Sequence, residues 1–175
     1  SSASAYLSRT PSSAGNQKTW TYSIWVKRGN LSAWQRLFSS AIAVDNEWSL
    51  AFNSGNALYV SDGAAAIIET TAVYRDSSSW YHIVLALDST QGTGTNRLKL
   101  YVNGSEVTDF STDARGTVIS QNEDMAINSA NPHRLGCRWD SSSNSSFLDG
   151  YLAEVNFIDG TALTPSSFGE TGDYG

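Results

Sequence analysis

Hydrophobic and polar positions alternate along most of this chain, in short runs punctuated by Gly, Asn, Asp and Ser. The clearest run covers residues 80–107. Its first part places Tyr81, Ile83, Leu85 and Leu87 opposite Trp80, Val84 and Ala86, so both faces are apolar. A strand buried on both sides belongs in the middle of a sandwich. A polar loop follows, and then Leu98, Leu100 and Val102 alternate with Arg97, Lys99 and Tyr101. Asn103-Gly104 supplies two residues that tolerate positive φ, the requirement of a two-residue hairpin turn. That turn predicts Val102 opposite Ser105 and Leu100 opposite Val107.

The same reading extends to both ends. Residues 5–9 form a short first strand. From residue 19, Trp20, Tyr22, Ile24 and Val26 point inward, while Thr19, Thr21, Ser23, Trp25 and Lys27 point outward. Further strands are expected at 37–41, around Trp48, Leu50 and Phe52, around Leu58 and Val60, and at 67–74. Residues 108–128 have weak periodicity and are expected to wander over the surface. A strand at 133–139 precedes a flexible loop at 140–146. The last strand, 151–159, is read with Tyr151, Ala153, Val155 and Phe157 inward and Glu154 and Asn156 outward. Thr164-Pro165 then starts a helical turn. Ten to twelve short strands without a useful amphipathic helix predict an all-β fold, an antiparallel two-sheet jelly-roll sandwich.

Composition narrows the partners. The chain has 175 residues, enough for one domain, and a formal charge of -6 with no run of Lys or Arg. A nucleic-acid backbone and membrane insertion are therefore not expected. One cysteine, Cys137, excludes an internal disulfide. The first residues lack the pattern of a signal peptide, and the ends read as cuts in polar linkers of a longer protein. The sequons at Asn30, Asn103 and Asn144 are read as chance matches in a Ser/Thr-rich chain.

The segments WYHIVLALD, KLYVNG and FLDGYLAEVNFIDGTALTPSSF, in that order, resemble the laminin G-like branch of the concanavalin A-like lectin/glucanase jelly rolls. With YLSRT, WVKRG and FIDGTALTPSSFGET, the chain is most similar to domains in tail fibres and other appendages of tailed bacteriophages. The resemblance implies two curved sheets with first and last strands adjacent. It also implies an extracellular, virion-surface setting, with surface polysaccharide and other virion or fibre subunits (a homotrimer among the options) as partners. A purely structural domain and a glycan-cleaving enzyme are the alternatives, because this fold hosts all three.

Glycan hydrolysis needs two flanking carboxyl groups. The Glu-x-Asp-x-x-Glu and Glu-x-Asp-x-Glu patterns of the family's glucanases are absent, Glu154 stands alone, and Glu123-Asp124 would point opposite ways on a strand. No Gly-x-Ser-x-Gly occurs, and His82 reads as a hydrogen-bonded core residue. His133 and Cys137, four apart on one strand, lie too far apart to share a zinc. Catalysis is therefore not expected. The family resemblance implies a structural calcium as an option, with Asp88, Asp140, Asp149 and Asp159 as candidate ligands. Ala153 stands where many relatives have an Asp, which removes one oxygen. Glycan binding needs exposed rings beside hydrogen-bonding side chains. Three clusters offer them: Trp34 with Gln35 and Arg36, Tyr74 with Arg75 and Asp76, and Arg138-Trp139-Asp140. Trp139 is the first choice.

Overall fold

The computed structural model describes residues 4–41, 47–63, 65–140 and 142–170. Ser141, inside the loop expected at 140–146, lies outside them. The strands in chain order are β1 (Leu7–Arg9), β2 (Thr19–Arg28), β3 (Gln35–Ala41), β4 (Glu47–Phe52), β5 (Ala57–Asp62), β6 (Ala65–Val73) and β7 (Tyr81–Asp88). They continue as β8 (Leu98–Val102), β9 (Ser105–Glu106), β10 (Phe110–Asp113), β11 (His133–Leu135), β12 (Arg138–Trp139), β13 (Asn144–Ser145) and β14 (Gly150–Asp159). One helical turn, α1 (Arg115–Val118), follows β10.

The strands form a seven-stranded sheet, β1-β11-β3-β4-β5-β6-β10, and a five-stranded sheet, β14-β2-β7-β8-β9, with antiparallel pairing throughout. Hairpin β12-β13 stands apart from both. The expected two-sheet sandwich is the fold.

The alternating residues of β2 and β4 meet between the sheets. Trp20 and Trp48 are fully buried and cross edge to face, with centroids 5.3 Å apart at 86°. Tyr22 stacks on Phe38 at 4.5 Å. Each such side chain contributes about 1.5–3 kcal/mol by leaving water. The doubly apolar β7 sits between β2 and β8, and Tyr81 through Leu87 are all buried. Trp80 is the exception: it precedes the strand and is 40% exposed. The hairpin turn forms as expected, with Asn103 at φ 50 and Gly104 at φ 82, Val102 paired with Ser105, and the Val107 N–H donating to the Leu100 carbonyl.

Five expectations change. Residues 108–128 do not simply wander over the surface: they supply β10 and α1, and their isolated Ile119, Met125 and Ile127 enter the core. Gly136, at φ 79, breaks the strand expected at 133–139 into β11 and β12. The loop expected at 140–146 contributes β13, which pairs with β12. In β14 a bulge between Ala153 and Asn156, with Glu154 at φ 47, resets the alternation. Leu152 therefore packs against the core, while Tyr151 is 66% exposed. Nor do the first and last strands pair. β1 and β14 border opposite sides of one groove at the open edge of the sandwich.

Candidate functional site

The outer face of the seven-stranded sheet carries the residues that alternate with the core. On β4 these are Glu47, Ser49 and Ala51, opposite Trp48, Leu50 and Phe52. Register places Ser49 beside Ser61 and Ala51 beside Tyr59 of β5, and Arg36 of β3 on the other side of Ala51. The Ser49 and Ser61 hydroxyls share a hydrogen bond of 3.1 Å.

Glu47 is the centre of this face. Its carboxylate accepts from Arg36 Nε at 3.2 Å through one oxygen, and Arg138 Nη1 lies 3.4 Å from the other. The side chains of Arg36 and Glu47 are 6% and 4% exposed, and that of Arg138 is 26% exposed. Burial holds the Arg36 guanidinium below its ordinary pKa; Glu47 pulls it back up and Arg138 pushes it further down. Removing two cations and an anion from water is costly, and the mutual pairing offsets much of that cost. Arg36 Nη1, Arg138 Nε, Gln35 Oε1 and Asn144 Oδ1 are buried without a hydrogen-bond partner among the described residues.

Rings flank the charges. The Arg36 guanidinium lies 4.8 Å from the ring centre of Trp34, which is 39% exposed and meets Tyr59 edge to face at 5.1 Å. On β12, Trp139 is half-buried, with the Arg134 guanidinium 5.5 Å from its ring. The face therefore carries one exposed and one half-buried indole beside guanidinium N–H donors, groups that stack on a sugar ring and bond its hydroxyls, while Ser49 and Ser61 lie buried beneath them.

The structure thus joins two of the three expected clusters. Trp34 with Arg36 and Arg138 with Trp139 meet through Glu47. Asp140 turns away into its own hairpin turn, where it accepts from the Ser143 N–H at 3.1 Å. The third cluster does not belong here. Tyr74 is 8% exposed and packs between Phe52 and Tyr81, so it presents no ring to a ligand. Glu47, Tyr59 and Arg134 had not been singled out from the sequence. The available signal was a lone carboxylate at the polar position of an alternating strand, in a chain with few charges.

The calcium candidates are dispersed in use. Asp88 accepts from the Thr90 N–H and hydroxyl and from Gln91, and Asp159 accepts from the Asn16 N–H and Asn128. Asp149 gives its backbone carbonyl to the Gly29 N–H. Among the described residues no three His, Cys, Asp or Glu side chains converge as a metal site would need.

On the other sheet, Ser23 and His82 Nε2 are 2.9 Å apart, Trp25 stacks on the imidazole at 4.7 Å, and Phe168 approaches it edge-on at 6.4 Å. Ser23 is 1% exposed, which denies it the role of a nucleophile. Cys137 is fully buried and its thiol is pushed up to about 11 by burial, so it is an inert core group. No helix of the described residues is long and apolar enough to cross a membrane.

Comparison with known proteins agrees with this architecture. A family model described as the concanavalin A-like lectin/glucanases superfamily matches residues 1–167. No curated protein sequence matches the chain. Among solved structures, a SAP-like pentraxin from Limulus polyphemus superposes with a TM-score of 0.62 at 17% identity, covering 93% of this chain and 72% of that one. The CBM40 of a Ruminococcus gnavus IT-sialidase gives 0.61 at 14% identity, covering 94% and 96%. Domain 4 of AbnA, an extracellular arabinanase from Geobacillus stearothermophilus solved with arabinotriose, gives 0.60 at 20% identity, covering 87% and 65%. At these identities the likeness is one of fold.

Proposed function

The chain belongs to the concanavalin A-like lectin/glucanases superfamily, and on that footing we propose that it is a non-catalytic carbohydrate-binding module. One observation carries the reading: Arg36 and Arg138 are locked onto Glu47, with the exposed Trp34 indole over Arg36 and the half-buried Trp139 next to Arg138 in β12. The indoles stack on the apolar face of a sugar, and the partly exposed Arg138 guanidinium donates to its hydroxyl oxygens. Glu47 fixes both donors, so little side-chain entropy is lost when a glycan arrives. The similarity in fold to a CBM40 and to an arabinanase domain solved with arabinotriose supports a saccharide as ligand. No acid–base pair is assigned, and bound glycan leaves unchanged.

The setting we propose is a phage appendage that contacts polysaccharide on the host surface, alongside other subunits of the fibre. The resemblance of YLSRT, WVKRG and FIDGTALTPSSFGET supports it. Weak binding at one site becomes useful there through many copies. Calorimetric titration with host surface polysaccharide tests the reading. The protein should bind without releasing reducing ends, and Trp34→Ala with Trp139→Ala should weaken binding at least tenfold while leaving the fold intact. Undiminished binding by that double variant removes this face from the site. Release of reducing ends makes the chain an enzyme.

A further inference from the structure

The open edge of the sandwich holds a second feature, separate from the Glu47 face. Of the eight large hydrophobic side chains exposed among the described residues, five sit at this edge: Tyr6, Leu7, Tyr151, Val155 and Phe157. Between β1 and β14 runs a groove of about 620 Å³, walled by Leu7, Leu135, Val155 and Phe157 and floored by Tyr22 and Phe38. A volume of this order accommodates a ligand.

Three observations say what kind of occupant fits. First, β14 pairs with β2 alone, so the N–H and C=O groups along its groove-side edge have no strand partner. An acyl chain would bury those groups without bonding them, whereas an extended polypeptide bonds them in register. The bulge at residues 153–156 divides β14 into two regular stretches, Gly150–Ala153 and Asn156–Asp159, and the second borders the groove through Phe157 and Asp159. Second, the Tyr22 hydroxyl is buried at the groove floor with no partner, in a residue 1% exposed. A buried O–H left unpaired costs about 1–3 kcal/mol, and an incoming carbonyl oxygen removes that cost. Third, Arg9 stands at the groove and makes no ion pair among the described residues, while Asp159 is already held by Asn16 and Asn128. The free charge at the groove is therefore positive, in a chain whose net charge is -6.

We propose that this groove is a docking site for an extended segment of another polypeptide, which adds as a strand to the Asn156–Asp159 edge of β14. Alternate apolar side chains of that segment enter between Leu7 on one wall and Val155 and Phe157 on the other, and an acidic side chain meets Arg9. The site is independent of glycan binding and of its outcome.

A direct test is nuclear magnetic resonance titration of the full chain with an acetylated, amidated octapeptide alternating valine and threonine and carrying one aspartate. Shifts and slowed amide exchange are expected at 156–159. Tyr22→Phe should weaken binding about threefold to tenfold, the range for one neutral hydrogen bond. Phe157→Asp should abolish it. Leu7→Asp, at a side chain 70% exposed, should do so without disturbing the core. Replacing the peptide aspartate by lysine should weaken binding about twofold to fivefold, and Trp34→Ala with Trp139→Ala should leave it unchanged. No shift at millimolar peptide, or shifts away from the groove, overturns the proposal. So does a concentration-dependent dimer of the chain that Leu7→Asp dissolves, because the occupant is then a second copy.

Discussion

Both sheets bury polar residues on their outer faces, and they do so by opposite means. On the five-stranded sheet the chain covers itself. The segment after β14 lies over β2, with the Thr21 hydroxyl donating to the Thr161 carbonyl at 2.7 Å and accepting from the Leu163 N–H at 2.8 Å. Phe168 then approaches His82, and the polar groups beneath are neutral and locally paired. On the seven-stranded sheet the buried groups are charged, the cover is the short β12-β13 hairpin, and one exposed and one half-buried indole remain. Neutral polar groups can be sealed with hydrogen bonds inside the chain. Charged ones with unpaired N–H donors hold affinity in reserve for a ligand. On the function proposed above, the covered face serves the fold and the open one serves binding.

The strongest way to break this comparison is to remove Glu47. Glu47→Ala leaves Arg36 and Arg138 close together and largely desolvated, with no counter-charge between them. The expected cost is about 3 kcal/mol, the low end for orphaning a buried charge because Arg138 is partly exposed. Urea unfolding measures it directly. A loss below about 1 kcal/mol would mean that the ion cluster does not hold the open face together.

The covered face answers to a smaller change. Phe168→Ala uncovers His82, on which Trp25 stacks, and is expected to cost about 1–2 kcal/mol, less than a fully buried phenylalanine, because Phe168 is only half-buried. Trp25 fluorescence should shift to the red. An unchanged midpoint would show that the terminal segment merely rests on the sheet.

The two faces were unequally legible in the sequence. Strict alternation announced the core faces of β2 and β4, and doubly apolar β7 announced its central place, because period-2 patterning is local information. The Asn103-Gly104 turn was equally local. The Glu47 site was not, since it joins Arg36 to Arg138 across register relations that no short window contains. Trp34 and Trp139 could be picked as exposed rings, yet nothing in their spacing tied them together. Tyr74 failed for the same reason: its neighbours Phe52 and Tyr81 come from different sheets. In β14 one extra residue at the bulge reset the alternation, which a regular period cannot anticipate.

Acid should sharpen the contrast modestly. Burial holds the pKa of His82 below its ordinary value, opposed in part by Glu154, and burial does the same to His133. A depressed histidine pKa means that the folded state favours the neutral ring. Its contribution is present above the unfolded value, near 6.5, and is lost as pH falls through that value toward the lower folded pKa. The melting temperature should therefore decline between about pH 6.5 and 5, before the depressed carboxylates Asp88 and Asp113 lose theirs at lower pH. His82→Gln should flatten the decline on the covered face, whereas Arg138→Gln on the open face should leave it unchanged.

The smallest expected effect concerns calcium, which would blur the comparison by fastening loops on either side. Calcium takes six to eight oxygens at once. Asp140 belongs to the hairpin over the open face and already accepts from the Ser142 hydroxyl and the Ser143 N–H. Asp88, at the end of β7, already accepts three hydrogen bonds from Thr90 and Gln91. A cation at either place must strip those turn bonds and gains one carboxylate in return. Melting curves with millimolar calcium and with chelator should coincide within about 1 °C. A ligand present at a hundred times its dissociation constant would stabilise the fold by about 2.7 kcal/mol, so a calcium-dependent rise of several degrees would contradict the assignment of these aspartates as turn caps. Loss of that rise in Asp140→Ala would bring the cation to the open face, on the side of the molecule proposed to bind glycan.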